Sequence, residues 1–192
     1  MEKEEKRIVF LKGKKMILRP LRKDTDLEAA LRWVNDGEVT QYLSRYLPMS
    51  FAEESEWFDN LSKRRDDMPL AIENKEGIFI GIVGLHNINW KDRTTGHGIF
   101  IGEKDYWEKG CGTDVEMTLL DYAFNKLNLR KIRSEVLGFN KRSLNFHLKC
   151  GYKIIGIRRK ELFKNGRYCD LVMLEVFKKD WLMLWKKYQN KD

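Results

Sequence analysis

The chain has 192 residues, of which 42% are apolar and 34% are charged, and its net charge is +8 at pH 7. This length and composition predict a single soluble domain over residues 1–192 with a sizeable core. A transmembrane helix is excluded because no run of about 18 apolar residues is present, and a signal peptide is not expected because residues 1–7 are charged.

The N-terminal part of the chain predicts a strand hairpin followed by two helices. We interpret residues 7–21 as a hairpin of two strands. A polar run at residues 24–26 then precedes apolar residues at helical spacing, and that helix ends at residues 35–37. After a loop or broken helix over residues 39–49, Ser50 is expected to begin the second helix.

The middle of the chain predicts three strands. Residues 69–73 and 78–85 are apolar and rich in β-branched side chains, so we interpret them as paired strands. A polar turn over residues 87–95 leads to residues 96–102, which are short, apolar and bounded by glycines. This pattern is typical of a buried central strand.

Gly110 and Gly112 lie where this strand gives way to a helix whose apolar residues recur from Val115 to Leu127. Glycines let the backbone approach a ligand closely. The N–H groups of a first helical turn have no backbone acceptors and carry partial positive charge, which favours a phosphate. Thr113 and Glu116 also fit a capping box, in which their side chains would satisfy the same N–H groups. The two interpretations compete.

The C-terminal part predicts a strand over residues 131–137 and then a short helix with Asn140 as its N-cap. Residues 153–163 and 167–176 predict a hairpin, and residues 178–189 an amphipathic helix with two tryptophans. The hairpin or this helix is a candidate homodimer contact. Burial of the helix tryptophans in the core is the alternative.

The three cysteines are odd in number and form no Cys-x-x-Cys pair, which predicts reduced thiols in a cytoplasmic protein. No group of His, Cys, Asp and Glu has the spacing of zinc ligands, so we expect no metal. No nucleophile elbow or Ser-His-Asp arrangement is present, which argues against a covalent acyl-enzyme.

Residues 107–112, followed by residues 140–152, resemble two landmarks of the GNAT N-acetyltransferases, in particular the RimJ/RimL-like branch. Residues 17–21 and 24–35 are similar to the first strand and helix of that branch, and the resemblance extends from about residue 14 to residue 177. It implies an α+β fold with a central mixed, mostly antiparallel twisted sheet flanked by helices.

The resemblance also implies that acetyl-CoA is the co-substrate. Its diphosphate would lie on the glycine loop, and its pantetheine arm would run beside the central strand. The cofactor-binding residues implied in this way are Ile99, Phe100, Ile101, Trp107, Lys109, Gly110, Cys111, Gly112, Thr113, Asn140 and Ser143.

The family reaction is direct transfer of acetyl from CoA to an amine in a ternary complex. Many members have a tyrosine acid four residues before the glycine that corresponds to Gly151, and this chain has His147 there. With an ordinary pKa near ~6.5, a histidine can donate a proton, although simple packing on the short helix is the alternative. Glu103, just past the central strand, is the candidate base, or else a solvated carboxylate.

A protein N-terminal α-amine is the expected acceptor, because its pKa near ~8 leaves part of it neutral. The alternative is a small amine, such as a polyamine, an amino sugar, a nucleotide sugar or an antibiotic. The acidic cluster of Glu53, Glu54 and Glu56 would suit a polyamine. A third class, a basic nucleic-acid or ribosome-binding module without activity, would use residues 158–160. Acidic residues are interspersed through the chain, so nucleic acid and membrane partners are not expected.

Overall fold

The computed structural model describes residues 8–190, so residues 1–7, with the charged start and the first residue of the predicted hairpin, lie outside the described part, as do residues 191–192. The described residues form eight strands and six α-helices. The strands are β1 (Leu11–Lys12), β2 (Met16–Pro20), β3 (Met68–Asn74), β4 (Phe79–Asn89), β5 (Thr94–Ile101), β6 (Lys131–Leu137), β7 (Lys153–Lys164) and β8 (Arg167–Phe177). The helices are α1 (Lys23–Asn35), α2 (Gly37–Thr40), α3 (Phe51–Asp59), α4 (Cys111–Asn125), α5 (Lys141–Lys149) and α6 (Lys178–Gln189).

All eight strands belong to one sheet in the order β1-β2-β3-β4-β5-β6-β8-β7. Neighbouring strands are antiparallel except β5 and β6, which pair in parallel from Thr94–Lys131 to Gly96–Arg133. The mixed, mostly antiparallel sheet flanked by helices is therefore confirmed. Both strands continue past their last pair, to Ile101 and Leu137, but they separate there and leave a cleft in the middle of the sheet.

The sheet has two covered faces, which we call the α4 face and the α1 face after the helix packed on each. Successive side chains of a strand point to opposite faces. On β5, Ile99 and Ile101 pack against the core beneath α4, whereas the ring of Phe100 contacts Trp33 of α1 at 6.2 Å between centroids. A ligand in the cleft would thus have the α4 face on one side and the α1 face on the other.

Most of the core lies on the α4 face. Val115, Leu119, Leu120, Ala123 and Phe124 of α4 are all buried, as their spacing predicts. Trp181 of α6 is fully buried among them and stacks with Trp185 at 5.2 Å. The tryptophans of the C-terminal helix therefore complete the core rather than form an exposed dimer contact.

Strand β7 is one of the two edges of the sheet, and its Ile154, Ile155 and Ile157 are about half exposed. A homodimer through this hairpin stays a prediction. None of the helices within residues 8–190 is both long and apolar enough to span a bilayer.

Two element boundaries differ from the sequence prediction because of long-range contacts. Helix α1 begins at Lys23 rather than after the polar run, since the buried Asp26 carboxylate pairs with the Arg19 guanidinium and accepts the N–H of Arg22 at 2.8 Å. Strand pairing between β4 and β5 extends to Asn89 and Thr94, further into the predicted polar turn. Helix α3 starts as expected, with Ser50 and Glu53 forming a capping box.

Candidate active site

A cavity of about 1030 Å³ occupies the cleft where β5 and β6 separate. Its walls are formed by the ends of these strands, the start of α4, helix α5, the segment after α2 and part of β7. The wall includes Ile99, Phe100, Ile101, Trp107, Gly110, Cys111, Gly112, Thr113, Asn140, Ser143 and His147, all of which the sequence analysis named.

The start of α4 presents backbone N–H groups to this cavity. Gly110 adopts a left-handed conformation with φ of 77°, and the first intrahelical bond runs from the Asp114 N–H to the Gly110 carbonyl at 3.2 Å. The N–H groups of residues 111–113 therefore have no acceptor within the helix, and Gly110 has no side chain to cap them. Together with the helix dipole, they form a site suited to a diphosphate.

The predicted capping box at Thr113 and Glu116 is wrong. The helix begins before it, so both residues lie inside α4. Thr113 lines the cavity, whereas Glu116 is fully buried and accepts a hydrogen bond from the Tyr152 hydroxyl at 2.7 Å. The Glu116 carboxylate therefore does not compete with an anion for the N–H groups at the start of α4.

Asp114 holds the start of α4 in place. Its buried carboxylate accepts the backbone N–H groups of Lys14, Lys15 and Met16 at 2.8, 2.9 and 2.8 Å. It also accepts a hydrogen bond from the Tyr188 hydroxyl of α6. The helix start is therefore anchored to the turn between β1 and β2 and to the C-terminal helix.

His147 lies on the cavity wall but is only 2% exposed. Its Nδ1 is 2.8 Å from the Ser143 carbonyl, and its Nε2 is 2.9 Å from the Ser134 hydroxyl. A carbonyl only accepts, so Nδ1 carries the proton and Nε2 accepts from Ser134. Burial, and to a lesser extent the nearby His97, lowers the pKa of His147 to about 4. The imidazole is therefore neutral near pH 7 and has no proton on the nitrogen that faces Ser134.

This burial makes the stability of the protein dependent on pH. The unfolded state gains a proton at the ordinary histidine pKa of about 6.5, whereas the folded state gains it only near pH 4. Stability from this group is therefore present above pH 6.5 and is lost as the pH falls toward 4, by on the order of 2–3 kcal/mol. In chemical denaturation between pH 4.5 and 7.5, the free energy of unfolding of H147Q should fall less steeply with decreasing pH than that of the wild type. Equal slopes would contradict the assignment of a neutral buried imidazole.

A second buried histidine lies beside the cleft. His97 Nε2 is 2.7 Å from Glu116 Oε2, and both side chains are fully buried. Burial alone raises the pKa of Glu116, but the attraction of His97, its hydrogen bond and that of Tyr152 together lower it. The structure places them in one polar cluster under the point where the strands separate.

Two predicted site residues are not part of the cavity wall. The Glu103 carboxylate accepts hydrogen bonds from Arg32 and from Trp33 Nε1, the latter at 3.0 Å. The Lys109 ammonium lies 5.9 Å from the centre of the Tyr106 ring. Asn140 caps α5, since its side chain accepts the Ser143 N–H at 3.0 Å, and it also lines the cavity. Its contact with the cofactor stays a prediction.

The acidic cluster on α3 is not part of this cavity. Glu53 is engaged in the capping box, Glu54 is buried with a pKa raised by that burial, and Glu56 is exposed. None of these three residues lines the cavity.

Several polar residues of the wall were not among the predicted site residues. They include Ser134, Glu135, Arg142, Arg158 and Glu161. Ser134 had a visible signal, because it stands between Ile132 and Val136 at an inward position of β6, where the other inward residues are apolar. Arg142 stacks on Trp107, with the guanidinium carbon 4.1 Å from the ring centre. Arg158 belongs to the basic run that we considered for nucleic-acid binding, and it turns into the cavity instead.

Comparisons with known proteins agree with this geometry. The family model described as an acetyltransferase (GNAT) domain matches residues 15–153. Spermidine N(1)-acetyltransferase of Escherichia coli (strain K12) is 28% identical over 165 residues, which is 86% of this chain and 87% of that protein. The putative ribosomal N-acetyltransferase YdaF of Bacillus subtilis (strain 168) is 29% identical over 106 residues, or 55% of this chain and 57% of YdaF.

Among solved structures, the crystal structure of spermidine N-acetyltransferase from Vibrio cholerae in complex with CoA and spermine is similar to this chain with a TM-score of 0.82. The sequence identity is 27%, and the match covers 87% of this chain and 98% of that one. The unpaired amides at the start of α4 and the cleft beside β5 have the chemistry that a CoA thioester requires. This chain belongs to the GNAT acetyltransferase family and is an acetyl-CoA-dependent N-acetyltransferase.

Proposed function

We propose that the enzyme transfers acetyl from acetyl-CoA to a primary amine of a small polyamine, by direct attack in a ternary complex. The observation that carries this proposal is the single cleft between β5 and β6, which opens toward both faces of the sheet and is large enough for two reactants. The near full-length similarity to spermidine acetyltransferases supports a small amine over the protein N-terminus that the sequence analysis favoured. A RimJ/RimL-like assignment has the weaker support of the partial match to YdaF.

In this proposal the cofactor binds on the α4 face. The N–H groups of residues 111–113 hold the diphosphate, and the pantetheine arm follows the free edge of β5 past Ile101 and Ile99. Main-chain N–H groups on that edge stabilise the oxyanion that develops on the acetyl carbonyl. Asn140 and Ser143 contact the cofactor from the start of α5.

The amine enters from the α1 face and attacks the thioester carbon, so that a C–N bond forms as the C–S bond breaks. The nitrogen gives up a proton, and the departing thiolate of CoA takes one. Orienting the two reactants can supply several kcal/mol of the barrier. His147 accepts the hydrogen bond of the Ser134 hydroxyl at 2.9 Å and so positions that hydroxyl at the junction of the two binding regions. The imidazole does not reach the reactants with its own proton, because that proton is bonded to the Ser143 carbonyl.

Turnover of acetyl-CoA against a panel of amines tests this function. We expect release of CoA with spermidine, and kcat/KM at least about tenfold lower with peptides that present a free N-terminus. A tenfold difference corresponds to about 1.4 kcal/mol of transition-state stabilisation. The released CoA is measured with a thiol reagent, and the acetylated amine is identified by mass spectrometry. Preference for the peptides would contradict the polyamine assignment and restore the N-terminal one.

A further inference from the structure

We propose that Glu135 and Glu161 form a subsite for a second, non-reacting ammonium group of the acceptor, and that the Arg158 guanidinium occupies this subsite until the substrate displaces it. This inference rests on the proposed function and adds to it the part of the site that recognises the charge of the acceptor.

The three side chains form one charge cluster on the cavity wall. Arg158 Nη2 donates to Glu135 Oε1 at 2.7 Å, and Arg158 Nη1 donates to Glu161 Oε1 at 3.3 Å. A single internal cation thus lies between two carboxylates from different strands. An ammonium group needs the same surroundings, because it carries one positive charge and donates up to three hydrogen bonds.

Strand geometry places this cluster beside the reacting centre and on the amine side of the cleft. Glu135 follows Ser134 directly in β6, so their side chains point to opposite faces of the sheet. Ser134 points to His147 on the α4 face. Glu135 therefore points to the α1 face, from which the amine enters, and a diamine with its reacting nitrogen in the cleft would bring its next ammonium toward it.

An irregularity in β7 brings Arg158 and Glu161 to the same cavity. Residues three apart in a regular strand point to opposite faces. Here, between the pairs Arg158–Leu171 and Leu162–Cys169, three residues of β7 face Asp170 alone. Lys160 in this bulge has φ of 52°, and its N–H donates to Asp170 Oδ1 at 2.9 Å. Bulges commonly re-aim side chains next to active sites, and this one aims both ends of the ion pair inward.

The energetics allow an exchange of cations. The side chains of Arg158, Glu135 and Glu161 are 44%, 49% and 40% exposed. Ion pairs this accessible to water contribute little to stability, so their replacement by a substrate ammonium costs little. Leu162 and Leu171 lie on the same wall and offer apolar contact to the methylene groups between two nitrogens.

The experiment compares spermidine with n-butylamine, which lacks the second nitrogen. In E135Q and E161Q the ratio of kcat/KM for spermidine to that for butylamine should fall about tenfold, because a charged hydrogen bond is lost. In R158Q the ratio should rise, because the competing cation is gone. E76Q, on the exposed turn between β3 and β4, removes the same charge away from the cavity and should leave both amines unaffected.

The opposite changes expected in the glutamate variants and in R158Q distinguish recognition of the second ammonium from simple stabilisation of β6 and β7. If R158Q lowers the ratio as E135Q does, or if all three variants affect the two amines equally, the subsite proposal is wrong. Calorimetric binding of spermidine to the same variants gives a second readout that does not depend on turnover, and the same order of affinities is expected. If the wild type acetylates neither amine, the proposed function fails with it. If the wild type acetylates spermidine and the variants do not differ, only the subsite fails.

Discussion

Replacement of Gly112 by leucine should weaken acetyl-CoA binding at least about 100-fold and leave the fold intact. A Cβ at position 112 would already lie 3.6 Å from the Phe146 ring and 4.0 Å from Ile101, so a longer side chain must extend between them into the cavity. It would fill the space in front of the N–H groups of residues 111–113 and exclude the diphosphate. A 100-fold loss corresponds to about 2.7 kcal/mol of binding free energy.

The protein itself should tolerate this change. Gly112 lies within α4, where leucine is a better helix former than glycine by up to ~1 kcal/mol. Calorimetric titration with acetyl-CoA measures the affinity, and the rise in melting temperature with acetyl-CoA should disappear in parallel. Two control variants test whether the length of the side chain and its position at the start of α4 cause the loss of affinity. G112A adds only a Cβ at ordinary contact distance, and G37L adds leucine to a short helix at a position with nothing within 4 Å. An unchanged dissociation constant in G112L would remove the start of α4 from the cofactor site.

Most elements of this fold could be predicted from local patterns. The apolar spacing after Val115 predicted α4, and the capping residues Ser50 and Asn140 predicted where two other helices begin. The sheet order and the parallel pairing of β5 with β6 could not be obtained in this way, because they join segments distant in sequence. The family resemblance supplied the mixed, mostly antiparallel sheet, and the strand order and the place of the parallel pair came from the structure.

The error at the start of α4 shows the same limit. Thr113 and Glu116 satisfy the capping pattern locally, but His97 and Tyr152 compete for the Glu116 carboxylate from distant segments. The left-handed conformation of Gly110 then allows the helix to begin at Cys111, two residues before Thr113. A local motif therefore gave the right helix and the wrong first turn.

The residues on the acceptor side of the site could not be predicted from the sequence for a related reason. Glu135 and Arg158 are ordinary charged residues in their own strands, and they meet only because β8 pairs with both β6 and β7. The bulge that turns Glu161 inward depends on Asp170 across the hairpin. The sequence does carry a trace of it, because residues 158–161 are four charged residues in succession within β7.

The largest loss of stability should follow the replacement of Asp114 by alanine. This change removes the acceptor of three backbone N–H groups from the turn between β1 and β2, together with the partner of the Tyr188 hydroxyl. Hydrogen bonds to a charged group contribute about 1.5–3 kcal/mol each, and donors left unsatisfied add a penalty. The free energy of unfolding should therefore fall by on the order of 3–5 kcal/mol, measured by chemical denaturation at pH 7.

A graded set of variants separates the anchor from a general effect of lost charge. Y188F removes one of the four bonds and should cost about 1–2 kcal/mol, whereas D114N keeps one oxygen acceptor and should lie between Y188F and D114A. Asp121 lies on the same helix, is only partly buried and bonds to Asn125 alone among the described residues, so D121A should change stability by less than about 0.5 kcal/mol. Because the anchor fixes the first turn of α4, D114A should also weaken acetyl-CoA binding. Equal losses of stability in D114A and D121A would mean that the start of α4 is held by something other than this carboxylate.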